Sequence, residues 1–219
     1  MSRRVLLVEG VTDKMLLKAV LSQSNILDVE IYPPKDLGVK GNGISNVMKL
    51  LPVVLGKIQS GDFDNLGILV DADYHGVNGG FQLRRQEVET VLSAAGYSRN
   101  INVSSTLFGD VFTHSSCIPI HLGILPDHAS DGMVEHVLAN SVSTGNQANL
   151  FAYAQSSINS LPTVLFNNSL HLKKAEIATL LAFQKSPGCD AGIGVKSGTF
   201  DLTAPDFAKI VAWLRLVFP

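Results

Sequence analysis

The sequence predicts an α/β fold with a central, mostly parallel sheet and a helical C-terminal cap. Residues 5–8, 66–70 and 117–125 are short apolar runs without strict alternation, the pattern of strands buried on both faces. Stretches with helical spacing of apolar residues lie between them, so strand and helix alternate. Past residue 140 the strand signals stop. With 219 residues, 46% hydrophobic and only 16% charged, the chain has material for one large α/β domain or a domain with an appended piece. The expected division is an α/β core over 1–142 and a helical extension over 143–219 packed on it.

The first run, 5–8, ends in Glu9-Gly10, and the glycine marks the turn from strand to helix. Met15, Leu16, Ala19, Val20 and Leu21 then recur at helical spacing over 13–22. A second strand over 29–32 is stopped by Pro33-Pro34, and 35–43 is a glycine-rich connection. Gly38 to Gly43 resembles a phosphate-cradling loop. It lacks the GxxxxGK[ST] pattern and does not end the first strand, so a plain flexible connection is the better reading. An apolar helix follows over 44–58, where Pro52 predicts a kink or break. Residues 61–65 form a turn, 66–70 the third strand and 71–80 a polar, glycine-rich loop. A helix over 82–95 is closed by Gly96. Short strands are expected at Asn102-Val103 and Val111-Phe112. In the run 117–125, Pro119 suggests an edge position or a bulge. Helices are expected from 133 to 140, over 144–160 and 169–183, and over 204–218 with Pro205 near its start; 186–199 reads as loop.

The net charge of −2 and pI near 6.3 lack the basic footprint of a DNA coat protein. They still admit an enzyme that meets phosphates through bound metal and a local basic patch. Cys117 and Cys189 form no CxxC, which argues against zinc by that route, and read as reduced, buried small hydrophobes. No apolar stretch approaches ~18 residues, so no membrane span is expected. The apolar run behind Met1-Ser2-Arg3-Arg4 is too short for a signal peptide, and a cytoplasmic protein is expected.

The chemistry is expected at the strand ends. Glu9 and Asp13 follow the first strand, and Asp71-Ala72-Asp73 follows the third. Residues two apart in an extended segment point the same way. In open α/β sheets, ligands bind at the carboxyl edge. A Mg²⁺ ion commonly takes one or two carboxylates plus waters and phosphate, which Glu9, Asp71 and Asp73 could supply, with Asp13 helping to hold a second ion. The plain alternative is that Asp13 favours a helix N-terminus and Asp71 and Asp73 are turn residues. Asp127, Asp131 and Glu135 form a third acidic set at four-residue steps after another apolar run. Asp131 either opens the next helix, with Glu135 one turn on, or is a plain N-cap. Clustered carboxylates repel unless a proton or cation neutralises them, which is the physical reason to expect metal. Lys173 and Lys174 sit on a later helix, where a solvated face is the ordinary reading. The six histidines show no HExxH or HxH spacing; His75 and His128 lie beside the acidic clusters.

Val8-Glu9-Gly10-x-x-Asp13 followed by Val70-Asp71-Ala72-Asp73 resembles a Toprim domain. That metal-binding fold is shared by topoisomerases, bacterial primases, recombination mediators and the overcoming-lysogenisation-defect (OLD) nucleases. The second acid, Asp13, resembles the OLD-type variant. Further stretches resemble small stand-alone Toprim-like proteins of unassigned function. These are Gly123-Ile124-Leu125-Pro126-Asp127 with Gly132-Met133-Val134-Glu135, Lys174-Ala175-x-Ile177 with Leu181-Ala182-Phe183-Gln184, and Trp213-Leu214-x-x-Val217-Phe218. The resemblance implies a Rossmann-like Toprim core and a Mg²⁺- or Mn²⁺-dependent nuclease or related phosphotransfer enzyme. Its metal ligands would come from Glu9, Asp13, Asp71, Asp73 and one of Asp127, Asp131 or Glu135. Glu9 and Lys174 would be catalytic, Lys174 as base or charge stabiliser. DNA or RNA would be the partner, with a homo-oligomer or protein partner left open. The chain lacks the OLD ATPase domain and the tyrosine-bearing domain of topoisomerases, so those full activities do not carry over. The alternative is a non-catalytic Toprim binding or scaffold module in DNA repair or phage defence. A receiver-type phosphoacceptor fits less well, because that fold is shorter and wants its acidic pair adjacent after the first strand.

Overall fold

A computed structural model describes residues 3–101 and 108–219. Its sheet has six strands: β1 (Arg4–Val8), β2 (Val29–Tyr32), β3 (Asn65–Asp71), β4 (Ser98–Arg99), β5 (Asp110–Thr113) and β6 (Ile120–Leu125). Their spatial order is β2-β1-β3-β6-β5-β4. The first four of that order run parallel, β5 is antiparallel to β6, and β4 is antiparallel to β5. Eight α-helices are described: α1 (Val11–Gln23), α2 (Ile44–Gln59), α3 (Phe81–Ala94), α4 (Val134–Asn140), α5 (Asn146–Asn159), α6 (Asn168–Ala182), α7 (Ala191–Lys196) and α8 (Pro205–Val217). The fold is α/β and Rossmann-like.

The unbroken apolar runs have a direct cause. Along β1, Val5 and Leu7 pack into one core with α2 and α3, while Leu6 and Val8 pack into the other with α1, α6, α7 and α8. Both faces are covered, so neither side of the strand can be polar. Phe207, Ile210, Trp213, Leu214 and Val217 of α8 share a core cluster with Leu6 and Leu17. Residues beyond 143 therefore build much of one layer against the sheet.

Some expectations change. Helix α2 runs unbroken through Pro52, which is exposed, so water can reach the carbonyl that its missing N–H leaves behind. Pro119 marks no edge. Strand β6 starts just after it and lies between β3 and β5. Val111-Phe112 lies in β5, and Asn102-Val103 falls outside the described residues. Cys117 and Cys189 are free and half-buried rather than buried. Among the described residues, no helix is long and apolar enough to cross a membrane.

The glycine-rich stretch 186–199 contains α7 rather than loop throughout. Asp190 caps it by accepting from the Ile193 amide at 2.9 Å. The glycines allow α7 to press on α1: a Cβ at Gly192 would lie 2.5 Å from the Met15 carbonyl oxygen. Gly192→Ala removes a helix-interior glycine, worth about 1 kcal/mol of gain in isolation. The backbone clash is expected to outweigh that gain and destabilise by about 1–3 kcal/mol, read from urea unfolding. An unchanged or raised midpoint would show that α7 is not fixed against α1.

Candidate functional site

The sheet steps from β1 to β2 on one side and then to β3 on the other, so its topological switch point lies between the carboxyl ends of β1 and β3. Glu9 follows β1 and Asp71 closes β3. The two tips meet: the Asp71 amide donates to Glu9 Oε1 at 2.8 Å. The Val134 amide, at the start of α4, donates to Asp71 Oδ1 at 2.9 Å. Asp13 sits in the first turn of α1 and hydrogen-bonds the Gly10 backbone. Glu9, Asp13 and Asp71 line one cavity of about 10 Å³, closed by apolar side chains that include Phe207 and Ile210 of α8. That is room for one water-sized occupant.

Glu9, Asp13 and Asp71 are half-buried, and that loss of solvent sets their electrostatics. Burial pushes Glu9 up to about 7; the Asp71 amide opposes the shift, and the charges of Asp73 and Asp13 add to it. Burial likewise pushes Asp13 up to about 6, against its Gly10 bond, with Glu135 raising it and Lys174 lowering it. Asp71 is raised well above the usual carboxylate range, first by burial and then by Glu9, Asp13, Glu135 and Asp73. Glu135 on α4 and Lys174 on α6 thus face Asp13, and all three line an adjoining cavity.

The remaining sequence-predicted acids are engaged elsewhere. Asp73 is close by, but its Oδ2 accepts from Arg84 Nη2 at 2.8 Å. Asp127 holds its own turn: Oδ1 accepts the Ala129 and Ser130 amides at 3.0 and 2.7 Å, and Oδ2 accepts the Ser130 hydroxyl at 2.9 Å. Burial raises its pKa, but those bonds pull it below the ordinary value. Asp131 neither opens nor caps α4, whose N-cap is Met133. Its two oxygens accept the amides of Phe81 and His75, both at 2.8 Å, which lower its pKa and tie the 74–80 loop to the start of α3. The four-residue acidic series thus splits, and Glu135 alone of the three reaches the site. The reason is that backbone amides satisfy a carboxylate as well as a cation does: those of its own turn for Asp127, and those of His75 and Phe81, distant in sequence, for Asp131.

Lys173 pairs with Glu176 at 2.8 Å, while Lys174 is exposed. His75 uses its backbone. His128 packs between the Phe81 and Phe108 rings with Nε2 3.2 Å from Asp110 Oδ2. It belongs to a structural cluster in which Arg85 also grips Asp110.

Sequence reasoning missed Arg84, Tyr74 and His136. Arg84 had a signal, because it falls on the apolar stripe of Phe81, Val88 and Leu92 in α3. It is buried, and it bonds Asp73, Glu87 and the Asn78 carbonyl. Arg84→Met leaves the Asp73 carboxylate uncompensated and is expected to destabilise by about 3 kcal/mol in chemical denaturation. A loss below about 1 kcal/mol would show the pair to be solvated.

Among the described residues, no three His, Cys, Asp or Glu side chains are gathered closely enough to enclose a metal ion. Mg²⁺ does not require such a cage, since it keeps waters and binds through one or two carboxylates. Glu9 and Asp71 fit that lesser demand. Each has one oxygen held by an amide, while Glu9 Oε2 and Asp71 Oδ2 make no hydrogen bond among the described residues.

Fold and site together define a Rossmann-like α/β protein with a half-buried carboxylate cluster at the switch point of its sheet. The chain belongs to the family described as protein of unknown function (DUF3226), which it matches over residues 3–219. No curated protein and no solved structure matches it.

Proposed function

We propose that this chain is a cytoplasmic, divalent-metal-dependent nuclease or related phosphotransfer enzyme acting on nucleic acid, built on a Toprim-type core. The observation that carries the reading is the convergence of half-buried Glu9, Asp13 and Asp71 on one cavity, each with raised proton affinity, beside Glu135. Acids so placed take up protons or a cation. Glu9 and Asp71 would hold Mg²⁺ or Mn²⁺ with waters. When bound, such an ion polarises a phosphoryl oxygen and acidifies water. Glu9 would reach the ion through Oε2, the oxygen its amide bond leaves free, and that is its part in the chemistry. Lys174, exposed and facing Asp13, offers positive charge to a phosphate approaching an otherwise acidic mouth. Asp127 and Asp131 take no part.

A second reading is a non-catalytic Toprim module that binds nucleic acid or a protein. It is favoured by Asp73, whose charge is answered by Arg84 instead of remaining open to a second ion. One experiment separates the two: labelled single- and double-stranded DNA and RNA are incubated with Mg²⁺ or Mn²⁺, scoring cleavage and anisotropy together. Metal-dependent products support the enzyme. Metal-dependent binding without products supports the scaffold. Neither result with any substrate removes nucleic acid from the proposal.

A further inference from the structure

The loop after β3 carries a phenol over the acidic cluster, and its surroundings fix what that phenol can do. Tyr74 follows Asp73, a non-glycine residue in the left-handed region at φ 59°. Backbone strain of this kind is sustained only where surrounding structure enforces it. Here Asp73 exchanges two backbone hydrogen bonds with Gly132, both at 2.8 Å, and the Tyr74 amide donates to Asn78 Oδ1 at 3.1 Å. The Tyr74 carbonyl accepts the amides of Val77, Asn78 and Gly79 at 3.1–3.2 Å. The residue is therefore held on both sides.

The ring of His136, on α4, sets the polarity of the phenol. The Met133 amide donates to His136 Nδ1 at 3.2 Å. The Met133 carbonyl, 3.3 Å from the same nitrogen, already accepts the His136 amide at 3.0 Å. Were Nδ1 protonated, the Met133 N–H would lose its acceptor. The proton of the neutral ring therefore sits on Nε2, which lies 3.3 Å from Tyr74 Oη. With Nε2–H donating, the phenolic oxygen is the acceptor and its own proton must point elsewhere. Partial burial and then the charges of Glu135, Asp73 and Asp71 raise the phenol's pKa, and its ring partner His136 follows Glu135 on α4. A substrate anion seated there needs donors that are not cations competing with the metal, and a phenol is one.

We propose that Tyr74, oriented by His136, donates a hydrogen bond to a non-bridging oxygen of a phosphoryl group bound at the mouth of the Glu9–Asp71 site. Tyr74 is then a substrate contact and His136 a positioning residue. The inference rests on the phosphotransfer reading.

The probe is thymidine 5′-monophosphate titrated into the Mg²⁺-bound protein, with cleavage kinetics alongside. Tyr74→Phe is expected to weaken binding about 10- to 100-fold and to lower kcat/KM by a similar factor. His136→Gln, which keeps a donor, retains most of the affinity, while His136→Leu matches Tyr74→Phe. Imidazole ¹⁵N shifts in the wild-type protein read the proton on Nε2 of His136 without any turnover. Equal affinity and rate for wild type and Tyr74→Phe, or a proton on Nδ1, overturns the proposal while leaving the enzyme reading standing. Monophosphate binding that needs the Tyr74 hydroxyl, without cleavage of any substrate, overturns the enzyme and upholds the contact. No monophosphate binding and no cleavage of any substrate overturns both, and cleavage that Tyr74→Phe leaves unchanged without monophosphate binding overturns the contact alone.

Discussion

Glu9→Gln is expected to abolish metal-dependent cleavage, by about 100-fold or more, and at the same time to make the metal-free protein harder to unfold at pH 8. The two effects have one cause. Glutamine matches glutamate in shape, and its carbonyl oxygen can keep the 2.8 Å bond from the Asp71 amide. What disappears is a half-buried charge beside Asp13 and Asp71. At pH 8 the wild-type carboxylate is ionised, and against its burial stand the Asp71 amide and, more weakly, the charge of Arg84. Removing that charge relieves desolvation and repulsion. Turnover fails because a neutral amide is a poor ligand for Mg²⁺ in place of the lost carboxylate oxygen. Guanidinium unfolding with and without a chelator, with a cleavage assay in parallel, tests the pair of effects. A variant both inactive and less stable would mark Glu9 as a structural residue, and one still active would remove it from the chemistry.

Without metal, the folded protein is expected to lose stability as pH rises from about 4.5 to about 7.5. Glu9 and Asp13 ionise near pH 4 in an unfolded chain but keep their protons to about 7 and about 6 when folded. Between those limits the folded state binds more protons, so their contribution is full below the unfolded values and drains away as pH climbs through the folded ones. For Glu9 alone the swing is roughly 3 kcal/mol, at about 1.4 kcal/mol per unit. The acids titrate against one another, so the separate swings do not add. Asp110, Asp127 and Asp131 have lowered values and act oppositely, losing their contribution as pH falls below about 4. Magnesium at ~100 times its dissociation constant should restore ~2.7 kcal/mol at pH 8. At pH 5 it should restore little, because protons occupy the same oxygens. Urea midpoints at the two pH values, with Mg²⁺ and with chelator, read all four states. A metal-free midpoint that rises from pH 5 to pH 8 contradicts the buried-acid account.

The layered fold was legible because it is written in burial. Residues 5–8 and 66–70 are apolar at every position, which only a doubly covered strand requires. Glu9 and Asp71 were legible for the same reason, since polar groups that interrupt such a run must stand at its end. Position along the chain says less about what a carboxylate touches. Asp127 and Asp131 carry the spacing of ligands, yet their oxygens are filled by amides from turns that the spacing does not reveal. Arg84 was hidden by the general rule that arginine is exposed, and Tyr74 and His136 by the sixty-odd residues between partners that meet only when β3 and α4 adjoin. Helix α7 was obscured by its glycines. They weaken helix propensity but permit the approach to α1 that stabilises it.

Phe207 and Ile210 wall a cavity whose carboxylates stand far upstream of them in sequence. Translation on the ribosome therefore delivers Glu9, Asp13 and Asp71 before the helix that covers them. The burial that raises their proton affinity is complete only once α8 has docked, so the docking of that helix and the chemistry of the cluster are one event.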